Sequence, residues 1–194
     1  AIKGGTPAAS HGHMDVGSFC YDARGTRWLH DMGAENYNLP GYFGGKRWSY
    51  YRLQNRSHNT LEIGGQLQNA KAKPCPLVSS SVTGNPLVAS FDLTDAYAGS
   101  ATKVIRSARF DINKGTTRIT DEITAPAGDV VWRGARRRRG DGDLIVRRGR
   151  RAAWVEDDRQ GGEQDEGVRV HAVIMRHAGL ARRHRRRMMR ACGW

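Results

Sequence analysis

The chain has 194 residues and a net charge of +13, with 38% hydrophobic residues, 24 glycines and 6 prolines. This length suits one ordinary domain with a small appendage, and the lack of any run of about 18 apolar residues excludes a membrane-spanning helix. The sequence begins AIKGGTPAAS, without an initiator methionine or a signal peptide, which is typical of a fragment or a processed chain. The three cysteines, Cys20, Cys75 and Cys192, lack CxxC spacing and indicate neither a zinc knuckle nor a disulfide framework.

The first 132 residues predict an all-β domain. GSFCYDA and TRWLHDM flank a turn at residues 22–25, which predicts a hairpin. Apolar and polar residues alternate in TTRITDEIT, as in a half-buried antiparallel strand. The remaining predicted strands are RWSYYRLQ, HNTLEIGG, PLVASFDL, TKVIRSARFDI and DVVW. Eight short strands with turn signals and no helical period predict an antiparallel β-sandwich.

The positive charge lies mostly in the last third of the chain. Residues 1–132 hold 6 Lys and 8 Arg against 11 acidic residues, a net of +3, whereas residues 133–194 hold 18 Arg and no Lys against 8 acidic residues, a net of +10. The second segment shows no sustained periodicity, and we expect it to be irregular. It could be a solvated tail that binds a polyanion, or an ordered subdomain with little apolar surface to bury. We favour a third interpretation, a non-native continuation from a shifted reading frame in GC-rich DNA, which translation of the other frames would test.

The stretch SHGHMDVGSF contains polar residues at alternate positions, His11, His13 and Asp15. On a strand these three side chains would point to one face. The predicted hairpin brings Asp31 back beside His13, and a later strand could add His58. Two imidazoles and a carboxylate are a familiar zinc ligand set. Spacing alone favours ordinary hydrogen-bonded histidines.

Four longer motifs occur in order along the chain: KGGTPAASHGHMDVGSFCYDARGTRWLHDMGAENYNLPGYF, RWSYYRLQNRSHNTLEIGGQ, FDLTDAY and RSARFDINKGTTRITDEI. Together they resemble a known family, the heparinase II/III-like polysaccharide lyases, and the resemblance covers residues 2–132. It implies a β-sandwich that follows an N-terminal (α/α) toroid, which this sequence does not include, with the polysaccharide bound in the cleft between them.

The resemblance implies a structural zinc ion, Zn2+, bound by His13, Asp31 and His58. It places His11 in the substrate cleft together with a tyrosine from the loop that follows Asp31. Tyr37 is the best match for this tyrosine, and Tyr42 is an alternative. These two roles for His11 and His13 require a bulge or irregular backbone between them, which Gly12 would permit.

Other residues are given supporting roles. We expect Asp15 to orient His13 through its free ring nitrogen. Arg27, Arg47 and Trp48 are candidates for contact with an anionic sugar. It is equally open that Trp28 and Trp48 pack in the core and that the arginines lie on the surface.

The chemistry implied by the resemblance is β-elimination at a uronic acid of an acidic polysaccharide such as heparin, heparan sulfate or alginate; the sequence does not select among them. The principal catalytic residues of the family come from the toroid, so we expect the chain alone to be inactive. The resemblance also implies a periplasmic or secreted location, which is usual for members of this family. The alternative function is a non-catalytic β-sandwich module that binds acidic glycan or nucleic acid through the basic tail, although few aromatic residues there could stack on bases. A metal-dependent hydrolase is disfavoured, because no HExxH motif occurs.

Overall fold

Short antiparallel strands dominate the structure, a computed structural model that describes residues 1–23, 26–137, 144–146, 149–150 and 167–176. These residues form twelve strands and four short 3-10 turns, so the predicted all-β class with antiparallel sheets is confirmed. No helix among them is long and apolar enough to cross a membrane.

The strands of the described residues form three sheets. One has the order β1-β2-β9-β10, the second β11-β8-β3 and the third β12-β7-β6-β5-β4. The bounds are β1 Tyr21–Ala23, β2 Thr26–Leu29, β3 Leu61–Ile63, β4 Leu77–Ser81, β5 Leu87–Asp92, β6 Lys103–Asp111, β7 Thr116–Thr124, β8 Val130–Trp132, β9 Ala135–Arg137, β10 Leu144–Val146, β11 Gly149–Arg150 and β12 Gly167–Arg176.

The main core lies between the second and third sheets. Leu61 and Ile63 of β3 pack with Val104 of β6 and Ile123 of β7, and all four side chains are fully or almost fully buried. Alternate residues of β7 point inward, as the period of two in TTRITDEIT requires. The core therefore holds β3 against the longest hairpin, and β3 is the strand that follows His58.

One predicted strand is wrong. RWSYYRLQ forms 3-10 turns at Arg47–Ser49 and Tyr51–Leu53, and a third follows at Asn55–Ser57. Its aromatic residues suit a strand by propensity, but the amides of Ser49, Tyr50 and Leu53 bond to carbonyls three residues earlier in the chain. The five-residue β4 was not predicted, because its side chains are exposed at a sheet edge and carry no apolar alternation.

Four strands, β9 to β12, lie among the described residues after Trp132. Strand β12 pairs with β7 from Gly167↔Thr124 to Arg176↔Thr116, and the side chain of Arg133 is buried against Glu62. The rest of the predicted irregular segment, Cys192, and residues 24 and 25 of the predicted turn lie outside the described residues. The division at residue 132 and the frame-shift interpretation stay predictions.

Candidate functional site

The stretch from His11 to Gly17 is a loop, so the predicted strand placement of His11, His13 and Asp15 is wrong. Backbone bonds fix this loop in place: the Met14 amide donates to the Leu53 carbonyl at 2.9 Å. The Gly12 amide donates to the Ala9 carbonyl at 2.8 Å, and a Cβ at Gly12 would lie 2.5 Å from the Pro7 carbonyl oxygen. Glycine is therefore required between the two histidines by close packing of the backbone.

His11 and His13 contact different rings. The φ of His11, 57°, lies in the left-handed region, which costs a non-glycine residue roughly 1–2 kcal/mol. The exposed His11 imidazole contacts Tyr37 at 5.9 Å and Phe43 at 5.2 Å between centroids, whereas the His13 ring lies 5.4 Å from that of His58. The irregular backbone expected between the two histidines is present, but it is a left-handed residue in a loop.

The segment His58-Asn59-Thr60 is tied to the same loop by its polar side chains. Asn59 Nδ2 donates to the Phe19 carbonyl at 2.6 Å, and Thr60 Oγ1 donates to the Val16 carbonyl at 2.8 Å. Both side chains are completely buried. A histidine that precedes Asn-Thr is thereby held against the loop that carries His13.

His13, Asp15 and His58 offer ligand atoms within 4.8 Å of one another, close enough to hold a metal ion. His58 is almost completely buried, and its Nε2 has no hydrogen-bond partner among the described residues. Its Nδ1 lies 2.7 Å from Asp31 Oδ2. A proton on Nδ1 leaves the Nε2 lone pair free, as a metal ligand requires, so the residues present fit a metal ion.

The structure places Asp31 on the Nδ1 side of His58 and Asp15 in the group of potential ligands. Asp31 Oδ2 also accepts from Ser18 Oγ at 3.1 Å, and Oδ1 accepts from the Gly33 amide at 2.9 Å. Burial alone would raise the pKa of Asp31, but the hydrogen bond and charge of His58 and these two donors lower it to about 2. Asp31 is thus an ionised carboxylate at neutral pH.

The surroundings of His13 favour its neutral, metal-binding form. Burial lowers its pKa first, and the charge of His58 lowers it further, while Asp15 acts in the opposite direction. Asp15 forms a salt bridge with Lys3, whose Nζ lies 2.7 Å from both carboxylate oxygens. The predicted orienting bond from Asp15 to His13 stays a prediction.

The two candidate tyrosines, Tyr37 and Tyr42, differ in their exposure to solvent. Tyr37 is 50% exposed, whereas Tyr42 is buried at 2% and its hydroxyl has no partner among the described residues. Of these two tyrosines, Tyr37 is therefore the one accessible from solvent, and its ring lies beside His11.

The predicted sugar contacts have structural roles in the described part of the chain. Arg27 is exposed and pairs with Asp22 across the β1–β2 hairpin at 2.7 Å. Arg47 donates to the carbonyls of Gly12 at 2.6 Å and Tyr42 at 3.2 Å. The Trp48 ring is half-buried beneath the Arg47 guanidinium, at 5.2 Å. Contact of any of these with a sugar stays a prediction.

The heparinase II/III-like, C-terminal family profile matches residues 1–189. The chain belongs to this family. Membership relates it to the polysaccharide lyases, whose full-length proteins carry a second domain and act on polysaccharides. The match runs beyond Trp132, further than the motifs quoted above, and no curated protein matches the sequence.

Two residues at or near the site, Phe43 and Arg106, were not predicted from the sequence. Phe43 is 58% exposed beside His11, and an aromatic residue between a Gly-Tyr and a Gly-Gly pair in GYFGG was the available signal. Arg106 is buried and donates from Nη1 to the carbonyls of Gly17 and Asn59, at 2.8 and 3.0 Å. No sequence pattern indicates that an arginine on a strand supports these loops.

Proposed function

We propose that this chain is the β-domain of a lyase that cleaves uronic-acid-containing polysaccharides by β-elimination. The observation that carries the proposal is the exposed His11–Tyr37 pair beside the His13–His58 group, in a member of the heparinase II/III-like family. A periplasmic or secreted location remains part of this proposal.

The reaction requires groups that the His11–Tyr37 pair can supply. The C5 proton of a uronate is weakly acidic, so the enzyme must neutralise the carboxylate and stabilise enolate-like charge. A base removes the proton, and an acid protonates the leaving glycosidic oxygen. The rings of His11 and Tyr37 are 5.9 Å apart, close enough for both polar tips to reach one sugar residue. We assign both side chains to the proton transfers of the β-elimination, in which residues of the toroid domain also take part.

We further propose that the metal is a structural zinc ion held by His13, His58 and one carboxylate. The resemblance assigns the carboxylate to Asp31, and the geometry adds Asp15, since Asp15 is the one within 4.8 Å of both histidines. Bound zinc would brace the loop that carries His11 and His13 against the segment that begins at His58.

Zinc content and zinc affinity of single variants test the ligand set. We expect H13A and H58A to lose zinc, while H30A, a half-buried histidine outside the group, retains it. D15N and D31N identify the carboxylate that binds zinc. Substitution of the zinc-binding aspartate should remove zinc as completely as H58A does. Substitution of the other aspartate should lower zinc affinity by only about 10–100-fold. Unchanged zinc in H13A and H58A would exclude this site.

Turnover tests the catalytic assignment. Heparin, heparan sulfate and alginate are incubated with the 194-residue chain and with the gene product that also carries the toroid, and the ultraviolet absorbance of the unsaturated product is followed. We expect turnover only with the toroid present, and its loss in H11N and Y37F. Asparagine tolerates the left-handed backbone of residue 11, so H11N removes the imidazole with little added strain. Full turnover by both variants would refute these roles, and turnover by the chain alone would refute its inactivity.

A further inference from the structure

An exposed aromatic patch, formed by the side chains of His11, Tyr37 and Phe43, lies beside the candidate metal centre. Phe43 and Tyr37 are 58% and 50% exposed, and their rings meet edge to face at 5.2 Å. The His11 imidazole contacts Phe43 in the same edge-to-face manner, at 5.2 Å. Large apolar rings that are grouped and exposed in this way mark ligand-binding surfaces.

The patch is supported from below. The buried Tyr42 ring lies 4.8 Å from Phe43 and 5.0 Å from Tyr37. The Arg47 guanidinium lies 5.1 Å from the centroid of Tyr42 and 5.6 Å from that of Phe43. Because Arg47 is itself fixed by the carbonyls of Gly12 and Tyr42, the exposed rings rest on an ordered layer. Such preorganisation lowers the entropic cost of binding a ligand.

The chemistry of the patch fits a sugar ring. A pyranose has apolar C–H faces and a polar rim, so an aromatic ring can cover a face while nearby polar groups bond to the rim. The His11 imidazole and the Tyr37 hydroxyl provide polar groups at the patch, and Lys46 and Arg47 follow in the same loop. This positive charge favours an anionic sugar.

We propose that Phe43 and Tyr37 form a stacking platform for a pyranose ring of an acidic glycan, next to His11. The chemical class of this ligand rests on the proposed function. The new element is Phe43, which has no proton to transfer and acts through contact with the apolar face of the sugar. His11 has a strained, left-handed φ, and its imidazole lies against the Phe43 ring; strained backbone of this kind is concentrated at functional sites.

The test titrates the 194-residue chain with unsulfated heparan and alginate tetrasaccharides and, separately, with a neutral tetrasaccharide. Binding is measured by isothermal calorimetry and by NMR shifts of the histidine side chains. We expect F43A to weaken binding about tenfold, the loss of one aromatic contact. F43W should restore binding, because it preserves a ring at this position. F110A is the matched control: Phe110 is 36% exposed on β6, outside the patch, and its removal should leave binding unchanged.

The outcomes separate this inference from the proposed function. Binding that is equal in wild type and F43A overturns the platform but leaves the glycan lyase proposal intact. Preference for neutral oligosaccharides, with F43A still weaker, supports the platform and overturns the acidic substrate class. No saturable binding by wild type, up to the solubility limit of the sugars, overturns the platform. Zinc content measured on the same F43A sample should be unchanged, which shows that its effect does not come from the metal centre.

Discussion

The ion pair between Arg106 and Asp121 is completely buried and connects the long hairpin to the candidate site. Arg106 Nε donates to Asp121 Oδ1 at 2.6 Å, and Nη2 donates to Oδ2 at 2.8 Å. Both side chains are 0% exposed. Nη1 donates to the carbonyl of Gly17, which precedes Ser18, and to the carbonyl of Asn59, which follows His58. We therefore predict that replacing Arg106 by methionine damages both stability and the site.

The size of the effect follows from these contacts. R106M leaves the Asp121 carboxylate buried without its countercharge, and breaking such a pair costs about 3–5 kcal/mol. The carbonyls of Gly17 and Asn59 also lose a charged donor, which adds about 1 kcal/mol or more. The total, roughly 4–6 kcal/mol, is comparable with the whole stability of a small domain. R106K keeps the charge but loses the two-pronged geometry, and should cost less.

Urea unfolding of wild type, R106M, D121N and the double variant measures the coupling. The double variant buries no charge, so we expect its loss to be smaller than the sum of the single losses by more than about 1 kcal/mol. R109M is the control on the same strand, at an exposed position, and should change stability by no more than about 0.5 kcal/mol. Where R106M does not fold, R106K and D121N provide the comparison. An additive cycle, or a loss below about 1 kcal/mol in R106M, would refute the reasoning.

Three further predictions concern the supports of the site. G12A should lower the free energy of unfolding by more than about 1 kcal/mol, because its Cβ would meet the Pro7 carbonyl; a neutral G12A in urea unfolding would contradict the packing. E62Q leaves the buried Arg133 guanidinium without its carboxylate and should cost about 2–4 kcal/mol, measured in the same way; a loss under half a kilocalorie would contradict the pair. Burial raises the pKa of Tyr97 above its usual value of 10, so its contribution to stability is complete below about pH 10 and is lost as the pH rises through the folded pKa. Unfolding at alkaline pH should show this loss in wild type and not in Y97F, and equal pH profiles would exclude Tyr97 as its source.

The period of two in TTRITDEIT was enough to predict β7, because alternation reports directly which side chains face the core. It could not show why Asp121 lies on the inward face between Ile119 and Ile123. A buried carboxylate is tolerated only with a partner, and that partner lies 15 residues earlier, on β6. Sequence patterns identify faces of strands, whereas pairs across strands require the register.

The candidate metal residues show a similar limit. Grouping His13 with His58 was predicted from the resemblance, and the structure brings them together. The strand geometry on which the spacing argument depended is absent, and proximity comes instead from buried Asn59 and Thr60 side chains bonded to the loop. The left-handed φ of His11 has no sequence signature, since glycine is the residue that normally indicates it.

Arg47 connects the two halves of the site. Its guanidinium bonds to the carbonyl of Gly12, the residue between His11 and His13. It also packs against the buried Tyr42 ring and against Phe43 of the aromatic patch. The strained backbone at His11 can persist only if its surroundings over-determine it, and this contact is one of the constraints. The loop that carries Phe43 thus also fixes the backbone from which His11 points towards the patch and His13 towards the metal group. A change in that loop should therefore alter glycan contact and metal affinity together, whereas removal of the Phe43 ring alone alters only the first.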